Sequence, residues 1–141
     1  MSLEIFNLTQ DQNVLVWLKE IAKKVSQNLK IKKDFSVILV GDKKIRQLNW
    51  QYRKKNKITD VLSFEGEADF LGEVVISLPE AKRQAKKYKL NLKIEMSRLL
   101  IHGILHLLGF DHEKNAKEAE KMYALQDKLL IGIFKKYVLS S

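Results

Sequence analysis

The run Leu99-Leu100-Ile101-His102-Gly103-Ile104-Leu105-His106-Leu107-Leu108 constrains this chain more than any other stretch. Read as a helix it is apolar nearly all round, and such a helix is buried. Its only polar stripe is Glu95, Arg98, His102 and His106. Four helical residues turn through about 400°, so the two histidines lie about 40° apart on one face, one turn from each other. A buried polar group without a partner costs roughly 1–3 kcal/mol. These imidazoles therefore need something to bind, and the rest of the chain must pack around the helix that carries them.

The remaining periodicities supply that packing. Leu3 to Leu8 alternates as a strand, and Val14, Trp17, Leu18, Ile21, Val25 and Leu29 fall at helical spacing. Phe35 to Val40 is a strand ending at Gly41-Asp42, and Ile45, Leu48 and Tyr52 predict a short helix after it. Arg53 to Lys57 has no periodicity and reads as a basic loop. Val61 to Phe64 and Leu71 to Ser77 are two further strands about an acidic turn at Gly66. Ser77-Leu78-Pro79-Glu80 is a helix start, with Ser as N-cap, Glu as its capping-box partner and Pro in the first turn. Helices are expected over Pro79 to Lys89, Leu92 to Leu108 and Ala116 to Tyr137. About four strands and five helices that do not strictly alternate predict an α+β fold, a mixed α/β sandwich. With 141 residues, 45% of them apolar, and no repeat or linker, residues 1–141 read as one domain.

The chain has no cysteine and only three histidines, His102, His106 and His112, in the pattern His-x3-His-x5-His. Thiolate chemistry and Cys-ligated metals are excluded, so any metal must be held by nitrogen and oxygen. Gly109 is placed to end the helix and reverse the chain, which can return His112 as a third ligand. Three neutral imidazoles with an open fourth position make a catalytic metal site rather than a structural one. The spacing is that of metzincin proteases, Gly109 included, but those carry Glu, the general base, directly after the first histidine. Here that residue is Gly103, which counts against peptide hydrolysis. Met122 lies in a helical apolar pattern and is expected in the core rather than in a Met-turn.

Lys and Arg number 26 against 17 Asp and Glu, a formal charge of +9, and only four of the cations are arginine. A surplus of this size favours polyanionic partners, nucleic acid before others. The start, Met1 to Phe6, lacks the basic and then apolar order of a signal peptide. No apolar run approaches the roughly 18–20 residues of a membrane span. A soluble cytoplasmic protein is expected.

The string His102-Gly103-Ile104-Leu105-His106-Leu107-Leu108-Gly109-Phe110-Asp111-His112 resembles the signature of the YbeY family of bacterial metal-dependent endoribonucleases. Leu48-Asn49, Tyr52-Arg53 and Thr59-Asp60-Val61-Leu62-Ser63-Phe64 agree with a second block, and Leu71 to Ser77 with a third. Ile58, Glu65 and Glu73 depart from the family pattern at loop and strand-end positions, leaving the histidines intact. The resemblance implies a hydrolase that cuts single-stranded RNA in ribosomal RNA maturation, at the small-subunit 3′ end, and in ribosome quality control. Its implied partners are ribosomal RNA and the ribosome or its proteins, with no membrane and no nucleotide cofactor. Its implied cofactor is one divalent ion on His102, His106 and His112, Zn²⁺ first, with Ni²⁺ or another transition metal also suiting imidazole.

Arg53 matches the family's arginine position and is the candidate to bind phosphate, since a planar guanidinium engages two oxygens at once. Lys54, Lys55, Lys57 and Arg98 are candidate RNA contacts, although Arg98 is equally placed to pair with Glu95 on its own helix. Lys82, Arg83, Lys86, Lys87 and Lys89 form either a second basic path or a solvated helix face. Asp111 either orients a ligand or caps the turn. Attack by metal-activated water and attack by the RNA 2′-hydroxyl both stay open, and no side chain is assigned as base. Two other functions compete with the ribonuclease: a ribosome assembly factor with a structural metal, and a protease-like hydrolase lacking its Glu.

Overall fold

A computed structural model describes residues 3–139, with side chains through residue 135. The chain runs β1 (Leu3–Asn7), α1 (Leu15–Asn28), β2 (Asp34–Val40), α2 (Asp42–Arg53), β3 (Val61–Glu65), β4 (Phe70–Ser77), α3 (Leu78–Lys87), α4 (Leu92–Leu107) and α5 (Ala116–Leu139). The four strands form one mixed sheet in the order β1-β2-β4-β3. β1 and β4 flank β2 in parallel, and β3 returns antiparallel to β4 at the edge. The expected α+β class, with a four-stranded sheet and five helices, is the one observed.

The alternation of each strand divides the core. Val37, Leu39, Val74 and Ile76 meet Leu100, Ile101 and Ile104 of α4, with α1 and α5 completing the layer. These side chains are all but inaccessible to water, which places α4 at the centre, as its composition demands. Met122 is fully buried there. Tyr137, the last member of the α5 pattern, lies outside the residues whose side chains are described. On the opposite face α2 packs, through Ile45 onto Val40, Leu62 and Val75. That helical cover is partial, and the open remainder borders the site.

Two expectations need correcting. The short helix expected at Ile45 to Tyr52 is a twelve-residue helix, and it takes in Arg53. Arg53 is therefore the last residue of α2 and not part of a loop. The break comes at Lys54, which adopts the left-handed conformation at φ 58° while its N–H reaches Trp50 O at 3.0 Å. The capping box of α3 forms by half. Ser77 Oγ accepts from the Glu80 N–H at 3.3 Å, but the Glu80 carboxylate turns outward to Arg83 Nε at 2.6 Å. Among the described residues no helix is long and apolar enough to cross a membrane.

Candidate active site

α4 carries His102 and His106 one turn apart and then stops. Gly109, at φ +102°, donates its N–H to His106 O at 3.1 Å, and Phe110 donates to Leu105 O at 3.1 Å. This pair of bonds is the Schellman termination, and its left-handed residue is the reason for glycine at this position. The chain then folds back. Asp111 Oδ1 accepts from the Glu113 N–H at 2.9 Å, so Asp111 caps the turn that returns His112. The rings of His102 and His112 stand 4.8 Å apart at 61°. The reversal expected from Gly109 has brought them together.

All three histidines line one cleft of about 360 Å³, together with Val61 to Phe64 of edge strand β3, Arg53 and Glu113. α4 lies against the sheet at Gly103. A Cβ there would fall 2.6 Å from Val74 Cγ1 and 3.1 Å from Ser63 Oγ, and Ser63 Oγ donates to Gly103 O at 2.8 Å. The position that holds Glu in the proteases thus faces packed sheet and has no room for a side chain.

Burial lowers the pKa of His102 below the usual 6.5, against the opposing pull of its bond to Gln126, and the positive charge of a protonated His112 would lower it further. This favours the neutral ring, the form a metal requires. Gln126, from α5 and almost wholly buried, places Oε1 2.8 Å from His102 Nδ1. An amide oxygen only accepts, so Nδ1 holds the proton and Nε2 keeps its lone pair. His112 Nδ1 is buried and has no hydrogen-bond partner. Tyr123 stacks 5.9 Å from His102 and bounds the group on the α5 side. Among the described residues no three ligand side chains already converge as a finished cation site.

The sequence-predicted cations separate into two sets. Arg53 lies in the cleft and donates from Nη2 to Glu113 Oε1 at 3.2 Å. Lys54, Lys55 and Lys57 are exposed on the loop after α2, outside the lining, with Lys54 Nζ 5.8 Å over the Trp50 ring. That loop is held by buried Asn49, whose Nδ2 donates to Lys57 O at 3.0 Å. Arg98 is also outside the cleft, its guanidinium forked onto buried Glu95 at 2.6 and 2.9 Å. This bond to Glu95 holds Arg98 firmly charged. Lys82 and Arg83 are bound to Asp11 and Asp42, each at 2.7 Å.

Gln126, Tyr123 and Glu113 were not among the residues singled out in the sequence. Gln126 left one trace there: it is the polar member of the α5 apolar stripe between Met122 and Leu129. Nothing in the sequence joined it to a histidine on another helix.

The family model for Endoribonuclease YbeY matches residues 4–133. The chain belongs to the YbeY family. An Endoribonuclease YbeY of Persephonella marina is 46% identical over 125 residues, covering 83% of this chain and 82% of that protein. The Endoribonuclease YbeY of Aquifex aeolicus is 46% identical over 107 residues, covering 72% and 71%. A solution structure of a Thermotoga maritima protein superposes with a TM-score of 0.71 at 28% identity, covering 98% of this chain and 93% of the other.

Proposed function

We propose that this chain is a metal-dependent endoribonuclease that cuts single-stranded ribosomal RNA. The observation that carries the reading is one cleft holding His102, His106, His112 and Arg53, brought from two helices and a turn. Membership of the YbeY family supplies the reaction class. The expected place of action is the 3′ end of small-subunit ribosomal RNA and ribosome quality control in the cytoplasm, with ribosomal RNA and the ribosome as partners and residues 1–141 as one hydrolase domain.

The donor set fits a transition metal. His102 favours the neutral form with Nε2 unprotonated, His112 has a buried nitrogen with no partner, and His106 shares their cleft. His102, His106 and His112 would hold one ion, Zn²⁺ first and Ni²⁺ next, as three imidazole ligands. Once bound, the ion supplies Lewis-acid activation of the attacking oxygen and charge for the phosphoryl oxygens.

The protein's own groups do the rest. Gln126 fixes the His102 proton on Nδ1 and thereby the ring's orientation. Arg53 exchanges its single bond to Glu113 for the non-bridging oxygens of the scissile phosphate, whose charge rises in the transition state. Edge strand β3, which lines the same cleft, confines the strand. Lys54, Lys55 and Lys57 extend positive potential away from Arg53 and draw in the RNA backbone.

The test incubates remetallated protein with small-subunit ribosomal RNA beside Arg53→Ala, and measures the metal content of His112→Ala. Cleavage by the parent protein, its loss in Arg53→Ala and reduced metal in His112→Ala are expected. Equal or absent cleavage in both RNA samples would overturn the nuclease reading in favour of a binding role. Full metal occupancy in His112→Ala would overturn the three-ligand site.

A further inference from the structure

The cleft does not end at the histidines. Tyr52, Ser63 and Phe64 also border a second depression, of about 630 Å³, on the sheet face that α2 leaves partly uncovered. Its floor is apolar: Ile38 and Val75 are register partners on adjacent strands, with Val40 beside them. Tyr52 stands over one side with 61% of its surface exposed, its ring 4.9 Å from that of Phe64 in an edge contact. Glu73 is the cross-strand partner of Phe64 and lines the same depression, together with Glu65 and Lys44.

We propose that this depression is a subsite for one unpaired nucleobase of the RNA, adjacent to the phosphate bound at Arg53. The inference rests on the ribonuclease reading and names what that site recognises. Three observations carry it. First, the two depressions share a wall, and the shared aromatic Tyr52 directly precedes Arg53 at the end of α2. A base resting on the Tyr52 ring leaves its own phosphate next to the Arg53 guanidinium. Second, an exposed tyrosine over an apolar floor suits the face of a base, and such stacking tolerates every base. Third, the charges separate base from backbone. A carboxylate at Glu73 repels phosphate and accepts hydrogen bonds from the N–H groups on a base edge, whereas Arg53 and the loop lysines attract phosphate. An apolar protein segment would gain nothing from Glu73 in the wall, and a phosphate would be repelled by it. A base already paired in a duplex cannot lie on the ring, so the subsite selects single strands.

The experiment measures equilibrium binding of a short fluorescein-labelled single-stranded oligoribonucleotide and a set of copies, each abasic at one position. One abasic position is expected to weaken binding roughly tenfold, the scale of one lost base–aromatic stack. Tyr52→Ala is expected to weaken the intact oligonucleotide by a similar factor and to remove the penalty at that position, with Tyr52→Phe restoring both. Equal binding of every abasic copy to the wild-type protein overturns the proposal without reliance on any variant. So does unchanged affinity in Tyr52→Ala, which would instead mark the face as a protein-docking surface. The binding assay needs no turnover. Position-dependent binding without cleavage therefore counts against the nuclease reading alone, and cleavage with position-independent binding against the base subsite alone.

Discussion

Arg98 on α4 and Arg53 at the end of α2 each pair with a carboxylate, and the two pairs are built to different ends. Arg98 forks onto Glu95 with bonds of 2.6 and 2.9 Å, and the Glu95 side chain is entirely buried. Arg53 offers Glu113 a single bond of 3.2 Å, with 36% and 60% of the two side chains exposed. Releasing Arg98 would strand a carboxylate away from water, a cost of several kcal/mol. Releasing Arg53 exposes both groups to solvent and costs about 1 kcal/mol or less. A cation that must exchange its partner for a phosphate belongs in the second kind of pair. The same residue type thus serves as a fastener on α4 and, in the proposed reaction, as the phosphate ligand on α2.

The contrast can be broken from either side. Arg98→Ala should destabilise the fold by about 3 kcal/mol, the lower end for an unpaired buried charge because Arg98 itself is 30% exposed. A lowered urea midpoint with unchanged slope reads this out. Replacing Glu95 by Leu in the same chain should return part of the loss, since the stranded charge is then gone. Arg53→Ala should do the reverse, lowering the cleavage rate by about 10²–10³-fold, as for loss of one transition-state donor. Its unfolding free energy should stay within about 0.5 kcal/mol of wild type. If Arg98→Ala cut activity per folded molecule as deeply as Arg53→Ala, the division of labour would fail.

Gln126 and His102 extend the buried half of the comparison to the proposed metal. Gln126→Leu should weaken Zn²⁺ binding by about 10–100-fold in a calorimetric titration of the metal-free protein, while Gln126→Glu, which still accepts, keeps most of the affinity. Equal affinity in the Leu variant would mean that the His102 ring needs no brace. The pH dependence has a definite sign. Burial lowers the folded pKa of His102 below 6.5, so between that folded value and about 6.5 the unfolded chain binds more protons. The metal-free fold should therefore lose stability as pH falls through this window, by about 1.4 kcal/mol for each unit of depression. Above about 6.5 this contribution is flat. His102→Gln should remove the slope in thermal melts taken across the window.

How far these features were legible in the sequence follows from the range of the forces that set them. The strand and helix periods, the Ser77 cap and the Gly109 reversal are local, and every expected element is present, with α2 longer than its period predicts. The pairing of Arg98 with Glu95 was also readable, because a three-residue spacing brings them together on any helix. The aperiodic, lysine-rich run around Arg53 predicts a loop. The helix continues through Arg53 because α2 stays anchored by Ile45 and Asn49, both fully buried, up to the left-handed turn at Lys54. Gln126 and Glu113 could not be found in this way. One meets His102 from 24 residues away and the other meets Arg53 from 60, distances that only the packed fold closes. Gly103 could be read as the absence of a base, but its close packing against Val74 of β4 needed the sheet in place.

The smallest expected effect tests the exposed pair most directly. If Glu113 occupies the guanidinium that phosphate will take, Glu113→Gln should raise affinity for a single-stranded RNA up to about fivefold, the range of one exposed ion pair. The gain should shrink as salt is raised, since both partners are open to screening ions. A carboxylate in the cleft would also repel RNA without touching Arg53, and the two causes separate in the Arg53→Ala background. Competition for the guanidinium predicts that Glu113→Gln then gives no gain, because there is no cation left to release. General repulsion predicts the same gain with or without Arg53. Unchanged or weaker binding in the single variant would show that the pair holds Arg53 in place for its phosphate instead of occupying it.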